Sequence, residues 1–334
     1  MLKDTLNNKI HEYMGQNALD KALGLGSNHS VEFLAQGEYN INYTVSGCSK
    51  KYVFRVNTGS QLALENQIRY EYEALRRLEV SGVTPKVYYV DDTKKEIGYG
   101  VLIMEFLEGR PLEYGRDLNA AADIFSNIHS IDTSGEAFKN FIVEENLFTE
   151  RINESRRLLA DFFNSAAAPS KSKAFFHSFL EWAEKNRHRE KYFLQNRWRV
   201  VNNTEVNSSN FIISKEKSYL VDWEKPVISD PCQDLTQFLA PTTTLWKTDY
   251  VLSSEEKEGF FRSYTRALKG GGNDIRERVE FYTPYLYLRA LSWCAYAYLE
   301  YLREDKEIKN MDTFNRIKQY LELDFMHGLV REYF

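Results

Sequence analysis

Cysteine is scarce in this 334-residue chain: Cys48, Cys232 and Cys294 are odd in number, widely separated and without a C-x-x-C spacing. That pattern excludes a disulfide framework and fits reduced thiols in a cytoplasm. N-x-S/T triplets such as residues 42–44 therefore carry little meaning. Long apolar runs are missing as well. The longest, around residues 291–299, is far short of a bilayer span, and the first fifteen residues, "MLKDTLNNKIHEYMG", have no apolar centre of signal-peptide length. Neither membrane insertion nor export is expected. A surplus of positive charge is also absent. The formal charge is -5 and the pI about 5.8, which removes any general electrostatic drive toward nucleic acid and leans toward neutral or cationic small substrates. The histidines, His11, His29, His129, His177, His188 and His327, show no metal-ligand spacing with one another or with the cysteines.

What is present is enough apolar residue, 43% of the chain, to bury one large core or two modest ones. After a helical N-terminal segment, "SVEFLAQG", "INYTVSG" and "KYVFRVNT" read as three antiparallel strands with turns at Gly37 and "CSKK". A helix follows over about 62–80, stopped by Ser81-Gly82, and then "PKVYYVDD" and "GYGVLIMEFL" form a second strand pair. From residue 108 the pattern is mostly helical, broken only at 211–222, with "NSAAAPSKSK" and "KGGGND" as mobile connections. Gly270–Gly272 reads as a helix stop, because no strand leads into it as a phosphate cradle would require. The expected fold is α+β and bilobal. Residues 1–107 make a small β-rich lobe of about five strands with an inserted helix, and 108–334 a larger helical lobe.

Within that frame, "FIIS" and "YLVD" are short strands joined by the turn "KEKS", so Asn210 and Asp222 meet at one end of a hairpin. Adjacent strands lie about 5 Å apart, close enough for one magnesium ion to take oxygen from both; the bland alternative is a capped hairpin. Gly37 joins two strands where backbone N–H groups can cover phosphates, or where there is only a turn. Ile68, Glu71, Leu75 and Leu78 share one helical stripe, which puts a carboxylate among apolar neighbours. Such a group needs a partner. Arg55, set among apolar residues in "YVFRV", offers a bidentate one, with or without a ligand beside it. Glycine turn, strand cation, helix carboxylate, apolar strand, loop and hairpin occur in the order of a protein-kinase-like fold.

Here the chain resembles the aminoglycoside phosphotransferase and choline kinase family. "LAQGEYNINYTV" is similar to its glycine loop, "YEYEALRRLEVSGVTPKVYYV" to its helix and next strand, and "LIMEFLEGRPL" to its interlobe hinge. "LVDWE" and "SDPCQDLTQFL" look like its D-[FW]-[ED] and D-P-x-x-D-L segments. The resemblance implies ATP or GTP and magnesium as cofactors and a small-molecule hydroxyl as acceptor. It makes Arg55 the phosphate-binding cation and Glu71 its orienting partner. Asn210 and Asp222 become magnesium ligands, Met104, Glu105 and Leu107 the adenine hinge, and Asp234 either a brace for the catalytic region or a plain N-cap.

The departure lies in the loop. Where the family reads H-G-D-x-x-x-x-N, this chain has Asn203, Thr204, Glu205 and then Asn210. Glu205 accepts a proton as well as aspartate does, but its extra methylene moves the carboxylate, and about 1 Å of misplacement can cost on the order of 10²-fold in rate. Three readings stay open: an active kinase with Glu205 as base or substrate-orienting group, a nucleotide-binding pseudokinase or interaction module, and another transfer chemistry or a structural remnant on the same fold. For the acceptor, Trp293, Tyr296 and Glu300 form a helical stripe whose rings and carboxylate suit a cationic amine, or simply another helix. Acceptor identity and oligomeric state are left open.

Overall fold

A computed structural model describes residues 2–37, 39–60, 64–270, 272, 274–303 and 310–334. Helices α1 (Leu2–Gln16) and α2 (Leu19–Ala22) precede β1 (Ser30–Gln36), β2 (Asn40–Gly47) and β3 (Lys50–Asn57). Then come α3 (Gln67–Leu78), β4 (Val87–Asp91) and β5 (Gly100–Glu105). The sheet is antiparallel throughout, in the order β1-β2-β3-β5-β4. At the tip of the β2–β3 hairpin, Cys48 and Ser49 both have positive φ (47° and 63°), the backbone that matches the twist of a two-residue hairpin.

Strand alternation decides what each face meets. Tyr43, Phe54, Val56, Val101 and Ile103 point one way, onto Leu6, Ile10 and Met14 of α1. Arg55, Leu102 and Met104 point the other way, toward the side where α3 packs. The α3 stripe is buried as its spacing requires, with Ile68, Glu71, Leu75 and Leu78 all within it. The helix is shorter than the expected 62–80. The Asn66 side chain accepts from the Arg69 N–H and caps it at the start, and a 3₁₀ turn over Glu79–Ser81 ends it at Gly82 (φ 70°). Residues 62 and 63 lie outside the described residues.

The larger lobe opens with β6 (Arg110–Pro111) and α4 (Tyr114–His129), followed by α5 (Leu147–Asn164), α6 (Ser170–Asn186) and α7 (Lys191–Gln195). Next are β7 (Val200–Asn202), β8 (Phe211–Ile213), β9 (Ser218–Leu220) and β10 (Val227–Ser229). Helices α8 (Cys232–Leu239), α9 (Pro241–Lys247), α10 (Ser254–Ala267), α11 (Ile275–Leu302), α12 (Met311–Tyr320) and α13 (Leu323–Val330) complete it. The helical run is thus broken in more places than 211–222. β7 pairs with β10, and β6 joins β8 and β9. Unlike β8 and β9, the three-residue strands β7 and β10 are buried throughout and show no alternation by which a sequence could announce them.

One apolar cluster joins the lobes. Ile68, Leu75 and Leu102 are continuous with Phe125, Phe211, Leu220 and Trp223. A second cluster lies among α5, α6, α11 and the C-terminal helices. In α11, Leu288, Leu291 and Ala295 form a buried stripe, whereas Leu302, at the helix end, is exposed. Of the glycine connection, residues 271 and 273 lie outside the described residues.

Candidate active site

The β-sheet register sets the cation. Arg55 stands opposite Asn42, and its Nε donates to Asn42 Oδ1 at 2.9 Å. One terminal nitrogen donates to Glu71 Oε1 and lies 3.3 Å from Asp222 Oδ1. The contact with Glu71 is single-pronged rather than the expected bidentate pair, because the guanidinium is shared among three partners. Glu71, 1% exposed, therefore keeps a buried Oε2 with no hydrogen bond.

Asp222 and Glu224 arrive together because Trp223 between them is buried in the core, its indole N–H donating to the Leu220 carbonyl at 2.9 Å. Asp222 has φ 64°, a conformation aspartate tolerates better than most residues. Glu224 Oε2 accepts from Asn40 at 2.6 Å, and its carbonyl accepts from Gln67. Glu71 and Asp222 thus touch one arginine, and Glu224 lies near enough to feel the charges of all three. Burial pushes Glu71 up to about 7 against the pull of Arg55. Burial and then the charges of Asp222 and Glu71 push Glu224 up to about 7 as well.

A pH dependence follows. For an acid raised from 4.5 to about 7 by folding, the folded state holds more protons than the unfolded one between those values, so stability falls as pH rises across that window and is level above it. Glu224→Gln keeps an oxygen for Asn40 and removes the titration. Urea unfolding between pH 5 and 8 should show a shallower decline for this variant than for the wild type; parallel curves would remove Glu224 from the account.

The loop after β7 is held from behind. Asp234, in the first turn of α8, accepts the N–H of Asn203 (2.7 Å) and of Thr204 (2.8 Å). Asn203, fully buried, donates to the carbonyls of Val221 (3.4 Å) and Asp222 (3.1 Å) and accepts from the Glu205 N–H (2.9 Å). It ties the loop to the hairpin exit. At the other end of the loop, Asn210 Nδ2 donates to the Glu205 carbonyl at 2.6 Å, and the Val221 N–H donates to the Asn210 carbonyl at 2.8 Å. Asn210 and Asp222 therefore flank the open end of the β8–β9 hairpin. Glu205 itself is paired through Oε1 with Lys225, a lysine only 5% exposed.

Thr204 has φ 68°. A β-branched residue there carries strain of about 1–2 kcal/mol. Its hydroxyl donates to the Lys225 carbonyl at 3.1 Å, a bond that offsets about 1 kcal/mol. In Thr204→Gly, relief of strain is opposed by the lost bond and by a freer unfolded chain, so stability should change by less than about 1 kcal/mol. Thr204→Val keeps the strain and loses the bond, and should be less stable by about 1 kcal/mol. Denaturant midpoints decide this; a valine variant as stable as the wild type would show that the hydroxyl contributes nothing.

Gly37 lies in the β1–β2 turn, its N–H donating to the Asn40 carbonyl at 2.9 Å. Met104 is buried at the end of β5, and Glu105 Oε2 accepts from the Lys86 N–H at 3.1 Å; Leu107 follows the strand, half-buried. A cleft of about 240 Å³ opens beside Thr204 and Lys225, walled opposite by α5 and by Tyr282, Leu286 and Arg289 of α11. Trp293, Tyr296 and Glu300 continue the same α11 stripe but lie beyond the cleft lining. Trp293 packs edge-on against Trp246, with ring centroids 5.5 Å apart.

A family model described as "Phosphotransferase enzyme family" matches residues 30–282, from β1 into α11. The chain belongs to the phosphotransferase enzyme family. Solved structures with a similar fold include a candidate aminoglycoside phosphotransferase from Ralstonia eutropha JMP134, at 14% identity over 97% of this chain and 98% of that one, with a TM-score of 0.69. Choline kinase LicA from Streptococcus pneumoniae is similar at 20% identity over 96% and 99%, with a TM-score of 0.63. Spectinomycin phosphotransferase, solved with ADP and spectinomycin, matches at 13% over 94% and 96%, with a TM-score of 0.62. At such identities these likenesses speak to fold.

In this phosphotransferase-family chain, sequence reasoning passed over Asn42, Asn203, Glu224 and Lys225. Glu224 stands inside the quoted "DWE", and Lys225 is a lone lysine leading into the apolar "PVIS", the signal of a buried cation. Asn42 is legible only once the β2–β3 register is known. The cleft is lined by four cations, Arg151, Arg157, Lys225 and Arg289, and three carboxylates, Glu144, Glu150 and Glu154, with Lys225 paired to Glu205 beside it.

Proposed function

We propose that this family member is an ATP-dependent phosphotransferase that moves the γ-phosphate to a hydroxyl of a small molecule. The observation that carries the reading is the convergence of Glu71, Asp222 and Glu224 on Arg55 at the open end of the β8–β9 hairpin, beside the loop that bears Glu205 and Asn210. One guanidinium leaves that cluster short of positive charge. The orphaned Glu71 Oε2 and the raised Glu71 and Glu224 fit a cation there. Asn210 and Asp222 are the oxygen donors assigned to magnesium, a hard cation that takes few protein carboxylates and completes its shell with phosphate and water. When bound, magnesium neutralises phosphate charge.

Arg55, oriented by Glu71, holds phosphate oxygens, and the Gly37 turn covers them. Met104, Glu105 and Leu107 flank the adenine, and Asp234 fixes the loop through two backbone N–H groups. In the transfer, the acceptor oxygen bonds to the γ-phosphorus, the bond to the β-phosphate oxygen breaks, ADP leaves, and Glu205 takes the hydroxyl proton. Among the structures of similar fold, spectinomycin phosphotransferase was solved with ADP and with AMP, which supports an adenine nucleotide over GTP. Unpaired Cys48, Cys232 and Cys294 suit a cytoplasmic enzyme. The ion pair of Glu205 with Lys225 favours a second reading, nucleotide binding without turnover, because the base is already engaged.

Calorimetric titration of ATP and GTP, with magnesium and with excess chelator, tests the first step. Magnesium-dependent ATP binding is expected; none would end both readings. ADP release with hydroxyl acceptors then separates turnover from binding alone.

A further inference from the structure

We infer that the acceptor carries an anionic group, a carboxylate or a phosphate monoester, which docks on Arg157 and Arg289 while its hydroxyl faces the wall formed by Thr204 and Lys225. This deepens the proposed function and rests on the reading of the Glu205 loop as the transfer site.

The cleft is built for charge. Its lining holds four cations and three carboxylates, and because Lys225 is already paired with Glu205 the charges balance, while the arginine N–H groups are not all used. Arg151, 7% exposed, donates to Glu144 at 2.7 Å and to Glu154 at 2.9 Å, yet its Nε is buried without a partner. Arg289 reaches both oxygens of Glu154 through Nε alone, at 3.1 Å, and among the described residues its terminal nitrogens make no bond. Arg157, two turns along α5 from the exposed rim residue Glu150, is itself exposed and in no ion pair or hydrogen bond among the described residues. Although burial opposes it, Arg289 and Arg151, with a contribution from Arg157, hold Glu154 below the usual carboxylate range, so Glu154 stays charged and three guanidinium groups gather about it. Forks with free N–H groups match the planar oxygens of carboxylate and phosphate.

Two features argue against other acceptors. Among the described residues Tyr282 is the sole aromatic in the lining, so they form no ring cage for a quaternary ammonium. The volume, about 240 Å³, is below the roughly 300–1,000 Å³ of drug-sized pockets. It suits a molecule of monosaccharide size.

Four probes on one carbon skeleton test this: glucose, glucosamine, gluconate and glucose 6-phosphate. Binding is read by ligand-observed NMR without nucleotide, and ADP release is read separately with ATP and magnesium. Gluconate or glucose 6-phosphate should bind in preference to the other two, the pair of anions telling carboxylate from phosphate. Arg157→Gln, at an exposed position where the fold is not at stake, should weaken the anion by about tenfold or more and leave glucose unchanged. Glucose or glucosamine binding as tightly as the anions, anion binding indifferent to Arg157→Gln, or no binding by any probe overturns the inference. Anion binding through Arg157 without ADP release would keep the anion site and sink the transfer reading. ADP release as fast with glucose or glucosamine as with the anions would do the reverse.

Discussion

Asp222→Asn should remove magnesium-dependent ATP binding, lowering affinity about 100-fold or more and turnover about 1,000-fold or more, while the protein remains at least as stable as the wild type. The two halves of that expectation share one cause. Asp222 is the carboxylate that brings a third negative charge to Arg55, at 3.3 Å, and its charge helps to hold Glu71 and Glu224 up. Neutralising it relieves repulsion in the resting protein and removes the strongest ligand for a cation. Asparagine also tolerates φ 64°, whereas alanine there costs about 1 kcal/mol and would blur the stability half of the test. Calorimetry with and without magnesium, beside thermal unfolding, reads both halves. Undiminished magnesium-dependent binding would refute the metal role; a large loss of stability would mean that Asp222 is chiefly a structural partner of Arg55.

Glu205→Gln should lower turnover by about 10²–10⁴-fold with nucleotide affinity unchanged, the range for loss of a positioned general base. It should cost less stability than full truncation, because glutamine retains an oxygen for Lys225 although it no longer neutralises the buried charge. Glu205→Ala retains none and should cost about 3 kcal/mol, the penalty of stranding a buried charged donor. Adding Lys225→Met to Glu205→Ala should recover most of that stability and none of the activity. This pattern separates a catalytic carboxylate from a structural salt bridge: single-turnover rates report the first and urea midpoints the second. Turnover intact in Glu205→Gln would remove the residue from the chemistry, whatever its bond to Lys225.

Residues 203–205 mark the boundary of what a sequence can show here. The five-residue step from Glu205 to Asn210 can be counted off the chain, and so can the hairpin that brings Asn210 to Asp222, because both depend on contacts within about twenty residues. That Asn203 joins the loop to the Asp222 carbonyl, or that Asp234 receives two loop N–H groups, depends on where α8 packs. The α11 stripe shows the same division. Its spacing puts Trp293, Tyr296 and Glu300 on one helical face, yet Trp293 stands past the cleft that Tyr282, Leu286 and Arg289 line, because only the packing against α5 sets which turn faces the loop.

By itself the sequence determined the periodicities, and with them the antiparallel sheet, the burial of Glu71 in an apolar stripe and the meeting of Asn210 with Asp222. The tertiary structure alone decided the sharing of Arg55 among Asn42, Glu71 and Asp222, the pairing of Glu205 with Lys225 and the arginine-lined cleft between α5 and α11. The reason is physical. Side-chain direction follows from local backbone geometry, which spacing encodes, whereas the partners and the desolvation of a charge depend on segments brought together from distant parts of the chain.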